Sequence, residues 1–127
     1  MTPVPPSPGP NAKRRRAERH GRAGEDAAAL HLRRHGWTIL ATRVRTPSGE
    51  VDLVAKRDGL IAFVEVKMRA TAADLDFAID ERRLRRVAAA AEILAERYAT
   101  AGEDVRIDVI LIAPGQAPRH IENAWMG

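Results

Sequence analysis

The chain contains no cysteine, which excludes disulfides and thiolate zinc sites. Aromatic residues make up only 4% of its 127 residues. That is too few for a base-stacking sheet of the RRM type, so any contact with nucleic acid has to rest on backbone and shape. No apolar run approaches the roughly 18 residues needed to cross a bilayer, and the N-terminus lacks the apolar core of a secretory signal. The expectation is a cytoplasmic protein with no membrane partner. Also missing are a Gly-rich phosphate loop, a dinucleotide fingerprint and a serine in a nucleophile elbow. His31 and His35 have i, i+4 spacing, but no Glu follows His31 as zincin chemistry requires, so they read as surface or helix-end residues.

What is present is one modest core and an uneven charge. The 45% hydrophobic content suits a single domain of this length. Residues 1–24 hold six basic residues and one acidic residue, a charge of +5, whereas residues 25–127 hold 15 basic and 16 acidic, a charge of −1. The first ten residues include Pro3, Pro5, Pro6, Pro8 and Pro10, which favour extended chain. Lys13, Arg14, Arg15, Arg16, Arg19 and Arg22 follow. Residues 1–19 are therefore expected to be a disordered, Pro-rich then basic tail, and residues 20–127 a folded domain. The tail is either a solubilising leader or an arm that adds sequence-independent phosphate contacts.

Beyond the tail the pattern predicts α-β-β-β-α-β, with a short edge strand over 119–123. Gly24 to His35 reads as a helix stopped by Gly36. On it Glu25, Ala28, Ala29 and Leu32 follow helical spacing, which sets a carboxylate on the sheet-facing stripe. The alternative for Glu25 is a helix N-terminal acid favoured by the macrodipole. Strands are predicted over 37–43, 50–56, 60–67 and 105–112. A long helix runs from an Asp80 cap to about Thr100, with Leu84, Val87, Ala88, Ala91, Leu94, Ala95 and Tyr98 as its apolar stripe. Residues 70–76 form a poorly patterned connection before it. Arg82, Arg83, Arg85 and Arg86 crowd its first turns, where cations gain nothing from the helix dipole. They either meet phosphate or form a solvated face.

The most informative element is a hairpin. Asp58-Gly59 lies between two strand-like runs, and Asp-Gly is the strongest short hairpin signal. A two-residue loop makes Arg57 face Leu60, and then Asp52 falls opposite Glu65, and Glu50 opposite Lys67. Alternation along a strand puts all four on one face. Carboxylates opposed this closely repel, so Asp52 and Glu65 call for a cation: a rim lysine, or a divalent metal held by one or two carboxylates together with water and phosphate. The Glu-x-Lys triplet alone is weak, since a chain of this length contains about one by chance. The competing reading is a solvated strand end.

Gly24-Glu25, Gly49-Glu50-Val51-Asp52-Leu53-Val54 and Phe63-Val64-Glu65-Val66-Lys67-Met68-Arg69 resemble the YraN-type family of small bacterial proteins. That family resembles the archaeal Holliday-junction resolvases and the wider PD-(D/E)xK, restriction-endonuclease-like nucleases. The resemblance runs from about His20 to the C-terminus. It implies an α/β restriction-endonuclease-like core with a mixed central sheet flanked by helices, and a nuclease-like domain over 20–127. It further implies Asp52 and Glu65 as ligands of Mg²⁺ or Mn²⁺, and Lys67 as the group that orients the attacking water or stabilises phosphate charge. Glu25 would approach the metal directly or through water, and Glu50 has no settled role. The cations expected on nucleic acid are Arg14, Arg15, Arg16, Arg69, Arg82, Arg83 and Arg86. Two positions depart from the family pattern. Arg43 stands where asparagine is usual before the second strand, and Arg83 where lysine is usual on the second helix. Arginine keeps the charge and grips phosphate in a fork, but does not act as a titrating base.

The implied function is a metal-dependent DNA endonuclease acting on branched or structured DNA, with RNA as another candidate substrate and a homodimer as the assembly by analogy. Two alternatives stand beside it. One is a non-catalytic nucleic-acid-binding module on a nuclease-like scaffold; the other is a protein-interaction domain whose acidic hairpin docks a basic partner.

Overall fold

The computed structural model describes residues 10–70 and 80–125, with side chains from Arg22 onward. The elements are α1 (Pro10–Arg34), β1 (Thr38–Thr46), β2 (Gly49–Arg57), β3 (Leu60–Met68), α2 (Glu81–Tyr98), β4 (Asp104–Ile112) and β5 (Arg119–Ile121). The five strands lie in sequence order in one sheet. β3 and β4 are parallel and joined across α2, and the other neighbours are antiparallel. This is the mixed sheet that the family resemblance implies.

α1 begins at Pro10 rather than Gly24, so residues 10–19, assigned to the tail by the sequence, have helical backbone here. Proline suits the first helical position, where its missing N–H would have had no partner, and the Ala- and Arg-rich stretch after it propagates well. At the other end Gly36 has φ 86°. Trp37 N–H donates to Leu32 O and Gly36 N–H to Arg33 O, the paired bonds of a Schellman stop. Leu32 and Trp37 also meet in one apolar cluster, so the stop is packed as well as hydrogen-bonded. At the start of α2, Asp80 caps as predicted, its carboxylate accepting from Arg82 N–H.

The sheet is buried on both faces. On one, Ala28, Ala29 and Leu32 of α1 pack on Leu53, Ala55, Ala62, Val64 and Ile110. On the other, Leu84, Val87, Ala91 and Leu94 of α2 pack on Val54, Ile61, Phe63 and Leu111. Alternate residues of β3 feed the two layers, which is why that strand reads as a continuous apolar run. Asp58 and Gly59 have φ 48° and 74°, the positive values a two-residue type I′ loop requires. The rungs Arg57↔Leu60, Ala55↔Ala62 and Leu53↔Val64 carry the expected register. Among the described residues no helix is long and apolar enough to cross a membrane. The predicted connection over 70–76 falls almost wholly outside the described residues.

Two features set positions at opposite ends of the sheet. A Cβ on Gly49 would lie 2.8 Å from the Arg86 carbonyl oxygen, so only glycine lets the β1–β2 turn meet the backbone of α2. At the far end, Asp108 is fully buried on β4. It accepts from Arg106 through both oxygens at 2.8 and 3.0 Å, meets His120 Nε2 at 2.7 Å and accepts from Asn123 N–H at 3.0 Å. Burial pushes its carboxyl up, but the bonds from His120, Arg106 and Asn123 outweigh this and hold it below the usual carboxylate range. β5 is anchored by this acid.

Gly49→Ala is expected to cost about 1–3 kcal/mol through overpacking, read as a lower urea midpoint at unchanged slope; an unshifted midpoint would refute the close approach. Asp108→Asn is expected to lower stability by about 1–3 kcal/mol at pH 7. A lowered folded pKa contributes stability above the unfolded value and loses it as pH falls through the folded one, so the gap from wild type should close only below about pH 4. A gap that closes between pH 7 and 5 would count against Asp108 as the group responsible.

Candidate active site

Asp52 occupies a break in the regular sheet. The β1–β2 rungs Thr42↔Leu53 and Val44↔Val51 straddle Arg43 and Asp52, and Arg43 has φ 52°. Strict alternation is lost at this point. Val51 and Val54 are three residues apart yet pack in the same cluster, as do Ala41 and Val44. On its other side Asp52 Oδ2 accepts the Val66 N–H at 2.8 Å, a donor that a regular ladder would give to a β2 carbonyl. A side chain has replaced a main-chain rung.

The hairpin register, continued one step past Leu53↔Val64, sets Asp52 against Glu65, as expected. Both are buried, at 7% and 1% exposure. Glu65 Oε1 takes the Arg83 Nε–H and lies 3.3 Å from Lys67 Nζ. Among the described residues, Glu65 Oε2 is buried with no hydrogen-bond partner. Burial first, and the charge of Glu65 second, push the Asp52 carboxyl up to about 7, against the Val66 N–H, which favours the ionised form. Two acids in one dry corner cannot both ionise without a cation.

The remaining expected residues are placed as follows. Glu25 of α1 faces the same region, and its charge reaches Asp52. Its carboxylate is held by Arg43 Nε at 2.7 Å, beside an open hollow of about 370 Å³ lined also by Arg22, Thr42 and Leu53. Glu50 does not pair with Lys67 as the alternation predicted; the break at Asp52 intervenes, and Glu50 meets Arg45 at 3.7 Å on the surface. Arg83, expected on phosphate, is engaged by Glu65. Arg69 turns its guanidinium onto the Met68 carbonyl at 2.8 Å. Arg82 and Arg86 are exposed on α2, and the side chains of Arg14, Arg15 and Arg16 lie outside the described residues. His31 and His35 end α1, where His35 Nδ1 lies 2.7 Å from the His31 carbonyl.

The donor set suits a hard divalent cation. Two carboxylates converge, and one keeps an oxygen with no partner among the described residues although Lys67 and Arg83 already meet its other oxygen. Among the described residues no three His, Cys, Asp or Glu side chains gather to cage an ion. Asp52 and Glu65 can therefore hold one only with water or phosphate completing the shell, which is how Mg²⁺ is commonly bound.

Sequence reasoning missed the pairings of Arg43 and Arg83, which depend on helix docking, and the Asp108 network. An isolated aspartate within the apolar run Ile107–Ile112 was the available signal for the last.

A helix-flanked mixed sheet with Asp and Glu-x-Lys on its central hairpin is the fold of the restriction-endonuclease-like class. Among solved structures, the chain is similar to Hjc, a Holliday junction resolvase of the archaeal hyperthermophile Archaeoglobus fulgidus. The TM-score is 0.54 at 18% identity, covering 77% of this chain and 72% of that one. Residues 24–112 match the profile described as "Uncharacterised protein family UPF0102", and the chain belongs to that family. It is 69% identical over 113 residues to a UPF0102 protein of Erythrobacter litoralis, covering 89% of this chain and 97% of the relative. It is 59% identical over 109 residues to one of Sphingopyxis alaskensis, covering 86% and 94%.

With the metal-free protein, Asp52→Asn keeps an acceptor for Val66 N–H and removes the charge. Because the folded pKa is raised, the folded state holds a proton that the unfolded chain releases between about pH 4 and 7, and wild-type stability falls as pH rises through that window. The variant's melting temperature in chelator should exceed wild type by a few degrees at pH 8, and the difference should shrink toward pH 4. A constant difference across pH would disprove the raised acid.

Proposed function

We propose that this protein is a Mg²⁺- or Mn²⁺-dependent endonuclease that hydrolyses phosphodiester bonds in branched or otherwise structured DNA. The observation that carries the reading is the buried Glu65 Oε2, unpartnered among the described residues, beside an Asp52 carboxyl pushed up to about 7, with the Lys67 ammonium on the same glutamate. The likeness to a Holliday junction resolvase supports the substrate class.

Asp52 and Glu65 would hold the ion, and a bound divalent cation supplies a water of lowered pKa and neutralises charge on phosphate. The chain's own residues do the rest. Lys67 Nζ, 3.3 Å from Glu65 Oε1 and mostly buried, holds a proton near the carboxylate pair, where it can donate to a water or to a phosphate oxygen as charge develops. The low exposure of Asp52 and Glu65 strengthens each of these interactions relative to water. Glu25, tied to Arg43, adds negative charge at the edge of the centre and would approach the ion directly or through water. Arg82 and Arg86 on α2, together with the basic stretch of α1, provide sequence-independent phosphate contacts. The protein works in the cytoplasm, as a homodimer that sets two centres on one branched substrate.

A second reading has its own observation. Arg83 and Lys67 already neutralise Glu65, as suits a non-catalytic scaffold that binds nucleic acid without metal.

The experiment is cleavage of four-way junction, flap and duplex DNA with Mg²⁺ or Mn²⁺. Wild type should cut. Asp52→Asn and Glu65→Gln should each lose on the order of 10³-fold or more in rate, with DNA affinity kept or improved, and Lys67→Ala should lose on the order of 10²-fold. Salt-sensitive binding by wild type, with no cleavage of any substrate in either metal, would move the conclusion to the scaffold.

A further inference from the structure

Glu65 Oε1 is shared by two cations of different origin. Lys67 lies two residues along the same strand, and its side chain is only 14% exposed. Arg83 comes from the first turns of α2, with half of its side chain in solvent. Arginine stays charged at all working pH values, so this contact is a permanent ion pair rather than one that titrates away. With Asp52 and Glu65 both ionised, Lys67 and Arg83 balance them. A divalent cation held by the two acids would compete with Lys67 and Arg83 for Glu65.

Of the two cations, Arg83 is the freer to withdraw. Lys67 is confined by β3, whose pairing with β4 continues through Lys67↔Leu111 and Met68↔Ile112. Arg83 has solvent beside it and a long flexible stem. α2 itself need not move, since Leu84 and Val87 fix it in the core and the Gly49 approach fixes its distance from the hairpin turn. A guanidinium released at that point remains beside the centre with its donor fork free, the geometry that grips phosphate oxygens in pairs.

We propose that Arg83 is the resident counter-ion of the centre: it occupies Glu65 in the metal-free protein, yields that carboxylate to the divalent cation, and then binds the substrate phosphate. Arg83 is thus a positioning residue that couples metal entry to substrate grip. The proposal rests on the metal-dependent reading above and deepens it.

The test is calorimetric titration of Mn²⁺ alone into wild type, Arg83→Gln, Arg83→Lys and Asp52→Asn, with thermal melts of each protein in chelator and in Mn²⁺. Arg83→Gln should bind Mn²⁺ roughly tenfold more tightly than wild type. Its chelated form should melt lower, because Glu65 has lost a partner, and its rise in melting temperature on adding Mn²⁺ should be larger than that of wild type. Arg83→Lys retains a cation and serves if Arg83→Gln does not fold; its Mn²⁺ affinity should lie between the two. In Mn²⁺, Arg83→Gln should bind junction DNA more weakly than wild type, and in chelator the two should bind alike. Equal or weaker Mn²⁺ affinity in the folded Arg83 variants, with Asp52→Asn abolishing binding, would overturn the proposal and leave the metal reading standing. Failure of Mn²⁺ to bind any of the four proteins would overturn both.

Discussion

Two carboxylates from facing strands share one dry corner of the sheet, and the local structure is arranged around their repulsion. Asp52 gives up its place in the ladder to accept the Val66 N–H. Glu65 draws in Arg83 and Lys67, and Glu25 is matched by Arg43. Even so, the compensation is incomplete: one oxygen of Glu65 has no partner among the described residues, and Asp52 retains its proton to about neutrality. An arrangement optimised for stability alone would not leave that oxygen bare, because an unsatisfied buried acceptor costs about 1–3 kcal/mol.

The other buried acid on the sheet shows what full satisfaction looks like. Asp108 has an arginine fork, a histidine and a main-chain N–H, and its carboxyl is held below the ordinary range. Asp52 is pushed the other way. Two aspartates in neighbouring parts of one sheet therefore have opposite characters, set by the partners around them. The satisfied acid anchors an edge strand. The raised one stands beside Glu65, and groups with pKa values moved toward neutrality are the ones that exchange protons under working conditions.

The helices deliver the remaining groups, and close packing determines how far each reaches. α1 lays Ala28, Ala29 and Leu32 on the sheet, which sets Glu25 at the rim of the centre. α2 approaches the β1–β2 turn so closely that the turn residue must be glycine, and three residues earlier on the same helix Arg83 reaches Glu65. The glycine and acids of the Gly-Glu-x-Asp stretch thus do separate jobs: Gly49 admits the helix, Asp52 faces the centre, and Glu50 pairs with Arg45 on the surface.

Local chemistry made much of this legible. Asp58-Gly59 determined the loop and hence the register that opposes Asp52 to Glu65. Gly36 and Asp80 marked helix ends through their own backbone and side-chain preferences, and helical spacing identified the faces of both helices that meet the sheet. All of these depend on residues near one another in the chain. A lysine beside Glu65 was within reach, but the Arg83 contact and the partners of Glu50 and Asp108 were not, nor was the break in alternation at Arg43 and Asp52. Arg83 and Glu65 are separated by 18 positions and a helix docking step, and Asn123 reaches Asp108 only because β5 folds back along β4. Sequence by itself determined the order of the elements, the hairpin register and the carboxylate pair, though not the start of α1, because turns, caps and alternation are short-range rules. Tertiary structure alone decided which cation neutralises which acid, because such pairing follows from how closely separate elements pack.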